Sequence, residues 1–222
     1  MKKLIATVLL ACMLSTALFA SESYIGASIN SKFDFGFEEY ENVKKDFSEG
    51  YLGFGVDMAT YFGESANWGM SLNIDFNFPL YIASNGHAIT NFITWEIYPA
   101  LMFNFKYDFT DELSLESGVG VAFGFGMGNA EMFDGEDSYY DYELKYLRSV
   151  LDIIGNVGII WRYSDAWALR GGVNISYTVL DSYTATGYRN GHETSAGAGM
   201  APGSILCPDL AVEGYVGIAY LY

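Results

Sequence analysis

Cysteine is almost absent. Of the two in 222 residues, Cys12 lies in the amino-terminal apolar stretch, so Cys207 is left without a partner for an intramolecular disulfide. Four prolines are too few for proline-rich linkers or for disorder. Basic residues are also scarce: eleven Lys and Arg face 27 Asp and Glu, a formal charge of -16 at pH 7. That balance argues against nucleic acid and against unassisted binding to anionic lipid surfaces. Past the amino terminus, no apolar run reaches the about 20 residues of a membrane helix. Yet 51% of the chain is hydrophobic, and that surface has to be buried in some other form.

The amino terminus has its own logic. Met1-Lys-Lys3 is followed by an apolar run from Leu4 to Leu18 and by the small residue Ala20. A charged start, a short apolar core and a small residue at the cut describe a secretory signal peptide. Cleavage is expected after Ala20, with Ala17 as the competing position. The expected organisation is therefore a signal peptide over residues 1–20 and one domain over 21–222.

Within that domain the apolar residues recur with a period of two, the mark of strands with two different faces. The clearest is 68–80, where Trp68, Met70, Leu72, Ile74, Phe76, Phe78 and Leu80 oppose Gly69, Ser71, Asn73, Asp75 and Asn77. Similar stretches are 24–37, 50–62, 92–107, 113–127, 150–163, 167–180 and 212–222, which makes eight strands. Pro99 falls inside the fourth and predicts a bulge, because it removes a ladder donor. The connections alternate between long and short. The long ones cover 38–49, 83–91, 128–149 and 181–208; the third carries Asp134-Gly-Glu-Asp137 and Tyr139-Tyr-Asp-Tyr142. Short turns at one rim and long loops at the other are the pattern of a transmembrane barrel.

A soluble eight-stranded barrel carrying a ligand is the rival, and it would turn a face rich in Lys, Glu and Thr to water. Here the polar face holds mostly Gly, Ser, Asn and Asp with Tyr61, Tyr98 and Tyr215, which suit a narrow lumen. The apolar face carries aromatics at its ends: Phe62, Trp68, Tyr107, Trp161, Tyr163, Trp167, Tyr220 and Tyr222 at the short-turn rim, Phe35, Trp95 and Phe125 towards the loops. Such rings belong at membrane interfaces. The fold expected is all-β, an eight-stranded antiparallel up-and-down transmembrane β-barrel. The last strand should pair with 24–37 to close it.

Over its mature length the chain resembles the small eight-stranded outer-membrane barrels, the OmpA, OmpX and OmpW group. Gly217-Ile-Ala-Tyr220-Leu-Tyr222 resembles the carboxy-terminal signal read by the barrel-assembly machinery, with Tyr as the final aromatic and Val216 where a polar residue is usual. The resemblance implies an outer-membrane location, lipid around the barrel and that machinery as a partner during insertion.

Inside, charged residues must pair or be hydrated. Counted from the short-turn rim, Lys32, Asp57 and Glu213 fall at comparable depth, predicting one ion cluster that gates the lumen or simply holds it together. Arg170 and Glu116 predict a second pairing across it. The glycines Gly118, Gly120, Gly124, Gly126 and Gly128 lie along one strand face without the strand-turn-helix setting of a nucleotide loop, and read as room for bulky rings. His87, His192 and Cys207 sit in or beside outer loops with no ligand spacing, so neither a metal nor another cofactor is expected. His192 near Ser195 is too unspecific to mark a hydrolase. The function expected is non-enzymatic: a barrel that displays acidic, Tyr-rich loops for envelope integrity, adhesion or an extracellular protein partner. The alternative is a narrow channel for small or hydrophobic compounds.

Overall fold

The computed structural model describes residues 22–40, 43–63, 65–84, 87–88, 95–132, 142–189, 192–200 and 210–222. The signal-peptide stretch, Cys207 and the segment 133–141 lie outside them. The alternating stretches form strands β1 (Glu22–Tyr40), β2 (Val43–Phe62), β3 (Trp68–Ser84), β4 (His87–Ala88), β5 (Trp95–Asp108), β6 (Leu113–Met132), β7 (Tyr142–Arg162), β8 (Trp167–Arg189), β9 (His192–Met200) and β10 (Leu210–Leu221). Eight of them, all but β4 and β9, are the staves of a closed antiparallel barrel. Closure comes from β10, which pairs with β8 on one side and β1 on the other, from Tyr24↔Leu221 to Phe35↔Leu210. A closed wall has no edge, so its backbone needs no hydrogen bond from lipid.

The registers fix the tilt. Stepping sideways from Tyr24 through Ala59, Ser71, Met102, Gly120, Ile154, Ser176 and Ala211 returns to β1 at Asp34. The circuit comes back ten residues along the strand from where it began. An eight-stave wall with that stagger is inclined by about 35–45° and has a lumen just wide enough for side chains.

Three connections are short. In the first, Gly63 and Ala66 take positive φ (88° and 47°) and Ala66 N–H donates to Gly63 C=O at 3.0 Å. In the second, Thr110 Oγ1 accepts from Leu113 N–H, and in the third Ser164 Oγ accepts from Trp167 N–H. These turns lie on one rim, where Phe62–Trp68, Tyr107–Phe109, Trp161–Tyr163 and Trp167–Tyr220 form ring pairs with centroids 4.9–6.4 Å apart. At the other end Trp95 meets Phe125 at 6.1 Å.

Several expectations need correction. Residues 38–49 are not a loop: β1 and β2 continue as a hairpin to Tyr40↔Val43. Likewise β6 and β7 pair up to Met132↔Tyr142, and β8 runs to Arg189 with β9 as its partner above the point where β10 ends. His87 and His192 therefore begin strands rather than sit in loops. Backbone pairing continues wherever donors and acceptors can meet, and outside lipid it needs no apolar alternation. Pro99 makes no bulge. The β5–β6 register is the same on both sides of it, Ile97↔Phe125 and Ala100↔Ala122, and only the pairs between lapse. Among the staves the irregularities sit at Gly50/Tyr51, opposite Pro79, and at Leu151/Asp152; the β8–β9 pair has another at Gly187/Tyr188.

The outer face is predominantly apolar: Ile29 and Val157, for example, are 62% and 59% exposed. The inner face holds the buried residues, and it is not uniformly polar. Met102, Ala100, Ala122, Val150, Ile154 and the Tyr98 ring pack together on the β5–β7 side. Gly124 gives that cluster room, since a Cβ there would lie 3.0 Å from both Tyr98 and Glu96.

Candidate functional site in the barrel lumen

The in-out alternation sends polar side chains into a space too narrow for bulk water, so each must find a partner there. Most of the charged ones do so in tiers built around cations. At the short-turn rim Glu22 bridges Lys106 Nζ at 2.5 Å and Arg162 Nη2 at 2.7 Å, with Asp108 3.8 Å from each. Next comes Arg170. Its guanidinium lies 4.1 Å from the Tyr24 ring and 5.9 Å from the Tyr215 ring. It pairs with Asp57 through Nη1 and with Glu116 at 2.8 Å through Nη2. Tyr61 donates to the other oxygen of Glu116 at 2.5 Å. Higher up, Lys32 Nζ reaches Glu96 at 3.1 Å and Asp34 at 3.2 Å and lies over the Tyr98 and Tyr51 rings. Tyr98 donates to Asp152. The top tier is Arg148, with Asp181 at 3.1 Å and Glu49 at 3.7 Å; Tyr51 donates to Glu49.

Lys32, Asp57 and Glu213 are therefore not one cluster. Lys32 and Glu213 face each other in register, but Asp57 is opposite Gly26, lower on β1. The stagger of the wall separates positions that counting from a rim puts level. Lys32 instead spans the lumen to Glu96 on β5, and Asp57 joins Arg170 with Glu116. Glu213 accepts from Asn174 at 2.7 Å and shares its cavity with Arg170. Counting from the sequence missed Glu96, Arg148 and Asp34. For Glu96 and Asp34 the signal was present, a charge at an inward position of an otherwise apolar alternation, whereas Arg148 fell in the connection 128–149; no rule of spacing assigns partners across a lumen.

The tiers make the lumen a plug. Among the described residues nine buried carboxylates face four buried cations, Lys32, Lys106, Arg148 and Arg170, so the interior is acid-rich. Between the Arg170 and Lys32 tiers a small polar cavity remains, lined in part by Asp75, Glu213, Asn73 and Asn174. Among the described residues no three His, Cys, Asp or Glu side chains converge to hold a metal.

No family model and no curated protein matches the chain. Solved structures do. A major outer membrane protein of Thermus thermophilus shares 14% identity at a TM-score of 0.60, over 88% of this chain and 99% of that one. The outer membrane protein OprG of Pseudomonas aeruginosa shares 12% at 0.54, over 91% and 97%. Neisserial surface protein A shares 8% at 0.53, over 90% and 96%. At these identities the likeness is one of fold, and the fold is that of the small outer-membrane β-barrels.

Proposed function

We propose that the chain is a non-enzymatic integral outer-membrane protein whose plugged barrel anchors surface strands and loops, serving envelope integrity or contact with an extracellular partner. The observation that carries this reading is the series of ion tiers, Glu22–Lys106, Arg170–Asp57–Glu116, Lys32–Glu96 and Arg148–Asp181, stacked from one rim to the other. Opening a path would mean separating several buried ion pairs at once, and breaking one such pair typically costs about 3–5 kcal/mol. The apolar outer face and the aromatic rim support lipid as the surroundings. The similar solved structures, described as outer membrane or surface proteins, support the location. The signal peptide over 1–20, the insertion role of Gly217, Tyr220 and Tyr222, and engagement of the barrel-assembly machinery belong to the same reading.

Surface display rests on the sequence of the connections. Tyr-rich, acidic segments offer contact area at low entropic cost, and 128–149 is the one to test for binding. Liposome swelling separates anchoring from passage. Vesicles carrying the purified protein should swell in small sugars no faster than lipid alone, and faster swelling would establish the channel instead. Lys32→Met tests gating, since unchanged conductance in planar bilayers removes any gate at the Lys32 tier.

A further inference from the structure

Two carboxylates oppose each other near the outer end of the lumen. Asp34 on β1 and Glu49 on β2 are register partners, both inward and each 1% exposed. Side chains paired in this way stand about 4.5–5.5 Å apart at Cβ, and like charges there repel. The same twelve-residue step along each strand leads from the rim pair Glu22↔Tyr61 to Asp34↔Glu49. At about 3.4 Å per residue and a tilt of about 35–45°, that step climbs about 30 Å, past an apolar band about 25 Å tall. The pair therefore stands above the lipid, in the mouth of the plug.

Two cations serve four carboxylates in this mouth. Lys32 Nζ on β1 lies 3.2 Å from Asp34 Oδ2 and 3.1 Å from Glu96 on β5. Arg148 on β7 lies 3.1 Å from Asp181 on β8 and 3.7 Å from Glu49 Oε2, which also accepts from Tyr51. Each member of the pair thus gives one oxygen to a cation. The others, Asp34 Oδ1 and Glu49 Oε1, are buried with no hydrogen-bond donor among the described residues. One proton between the two side chains satisfies both oxygens and lowers the acid excess by one charge. Burial pushes both carboxyls up, to about 6 for Asp34 against the pull of Lys32 and to about 7 for Glu49 against that of Arg148.

We propose that Asp34 and Glu49 bind one proton between them at neutral pH, and that its loss in alkali loosens the outer mouth, where Arg148 ties β2 to β7 and β8. Between about pH 4, where free carboxyls titrate, and about pH 7 the folded mouth binds more protons than the unfolded chain. The stability that the pair contributes is complete below that window and is lost as pH rises through it. This proton site rests on the plugged lumen proposed above; its readouts are a bound proton and a stability profile, whereas that reading fails on solute passage.

The test is urea unfolding from lipid bilayers, from about pH 5 to about pH 9, of the wild type, Asp34→Asn, Glu49→Gln and the double variant. In either single variant the amide NH2 can donate where the proton did, at every pH. The unfolding constant of the wild type relative to each variant should therefore rise by up to about tenfold per pH unit inside the window, the slope of one proton, and level off above it. Either change removes a shared proton, so all three variants should follow one pH profile. Two carboxyls titrating independently would instead give single variants a part of the effect each and the double variant the sum. Infrared difference spectra of wild type against each variant at neutral pH should show a protonated-carboxyl stretch that both single variants lose. Should one single variant fail to insert, the other carries the slope and the stretch. A relative unfolding constant that does not change with pH, single effects that add in the double variant, or no protonated-carboxyl stretch would overturn the proposal.

Discussion

Replacing Arg170 with Met should destabilise the barrel by about 3–5 kcal/mol, the usual cost of removing one partner from a buried ionic group. Arg170 is the shared partner of Asp57 and Glu116 and the filling between the Tyr24 and Tyr215 rings. Without it two carboxylates face each other at the centre of a membrane-level barrel, with Tyr61 and Tyr24 as the remaining donors to Glu116. Met restores some of the volume and none of the charge, so the loss reports electrostatics more than packing. Unfolding in urea from lipid bilayers measures it. The triple variant Arg170→Met, Asp57→Asn, Glu116→Gln should recover most of the loss, because paired neutral groups carry no such penalty. A loss below about 1 kcal/mol for the single variant would mean that the tier is hydrated and that the lumen is not a plug.

Placing Lys at Val157 is the second large effect, expected at about 2–4 kcal/mol. Val157 lies outward on β7, midway between the aromatic rim at Trp161 and the Leu151/Asp152 irregularity. A lysine there would stand on the apolar outer face, away from the rim aromatics. Tyr163→Lys, at the rim and 48% exposed, should cost about 0–1 kcal/mol by the same rule. The contrast between the two positions is the informative quantity. In a water-surrounded barrel both substitutions would fall within about 0.5 kcal/mol of zero, so equal small effects would remove lipid from the account.

Where the wall meets lipid, the sequence is easily read. Trp68 to Leu80 alternates because one face must be apolar and the other must not, and β3 carries that alternation over this stretch. Beyond the lipid that requirement ends while backbone pairing goes on. This is why β8 reads as stopping at Leu180 and runs on to Arg189, and why β9, His-Glu-Thr-Ser-Ala-Gly-Ala-Gly-Met, has no readable period at all. β7 hides a different feature. Ile153 and Ile154 are both apolar, as are Ile159 and Ile160, so alternation alone does not reveal that Ile154 and Ile160 are buried inside while Ile153 and Ile159 face out. The ion tiers were legible as charges but not as partnerships. Lys32 finds Glu96 at a separation of 64 residues, and only the stagger of the staves decides which of several carboxylates comes within its reach.

That stagger gives the interior charges a role in assembly. An alternating lipid face cannot tell the native barrel from one in which a stave has slid by two residues, because Ile25, Ile29 and Phe33 would still point outward. The lumen can tell. A two-residue slide of β1 along β10 takes Lys32 from opposite Glu213 to opposite Ala211 or Tyr215. On the other side it moves β1 relative to β2, so that the Asn30 amide no longer faces Gly53. Each misaligned wall would strand charge that the aligned one pairs, and the penalty falls on every tier to which the displaced stave contributes. The polar interior therefore acts as a proofreading device for the zipping of identical-looking apolar strands.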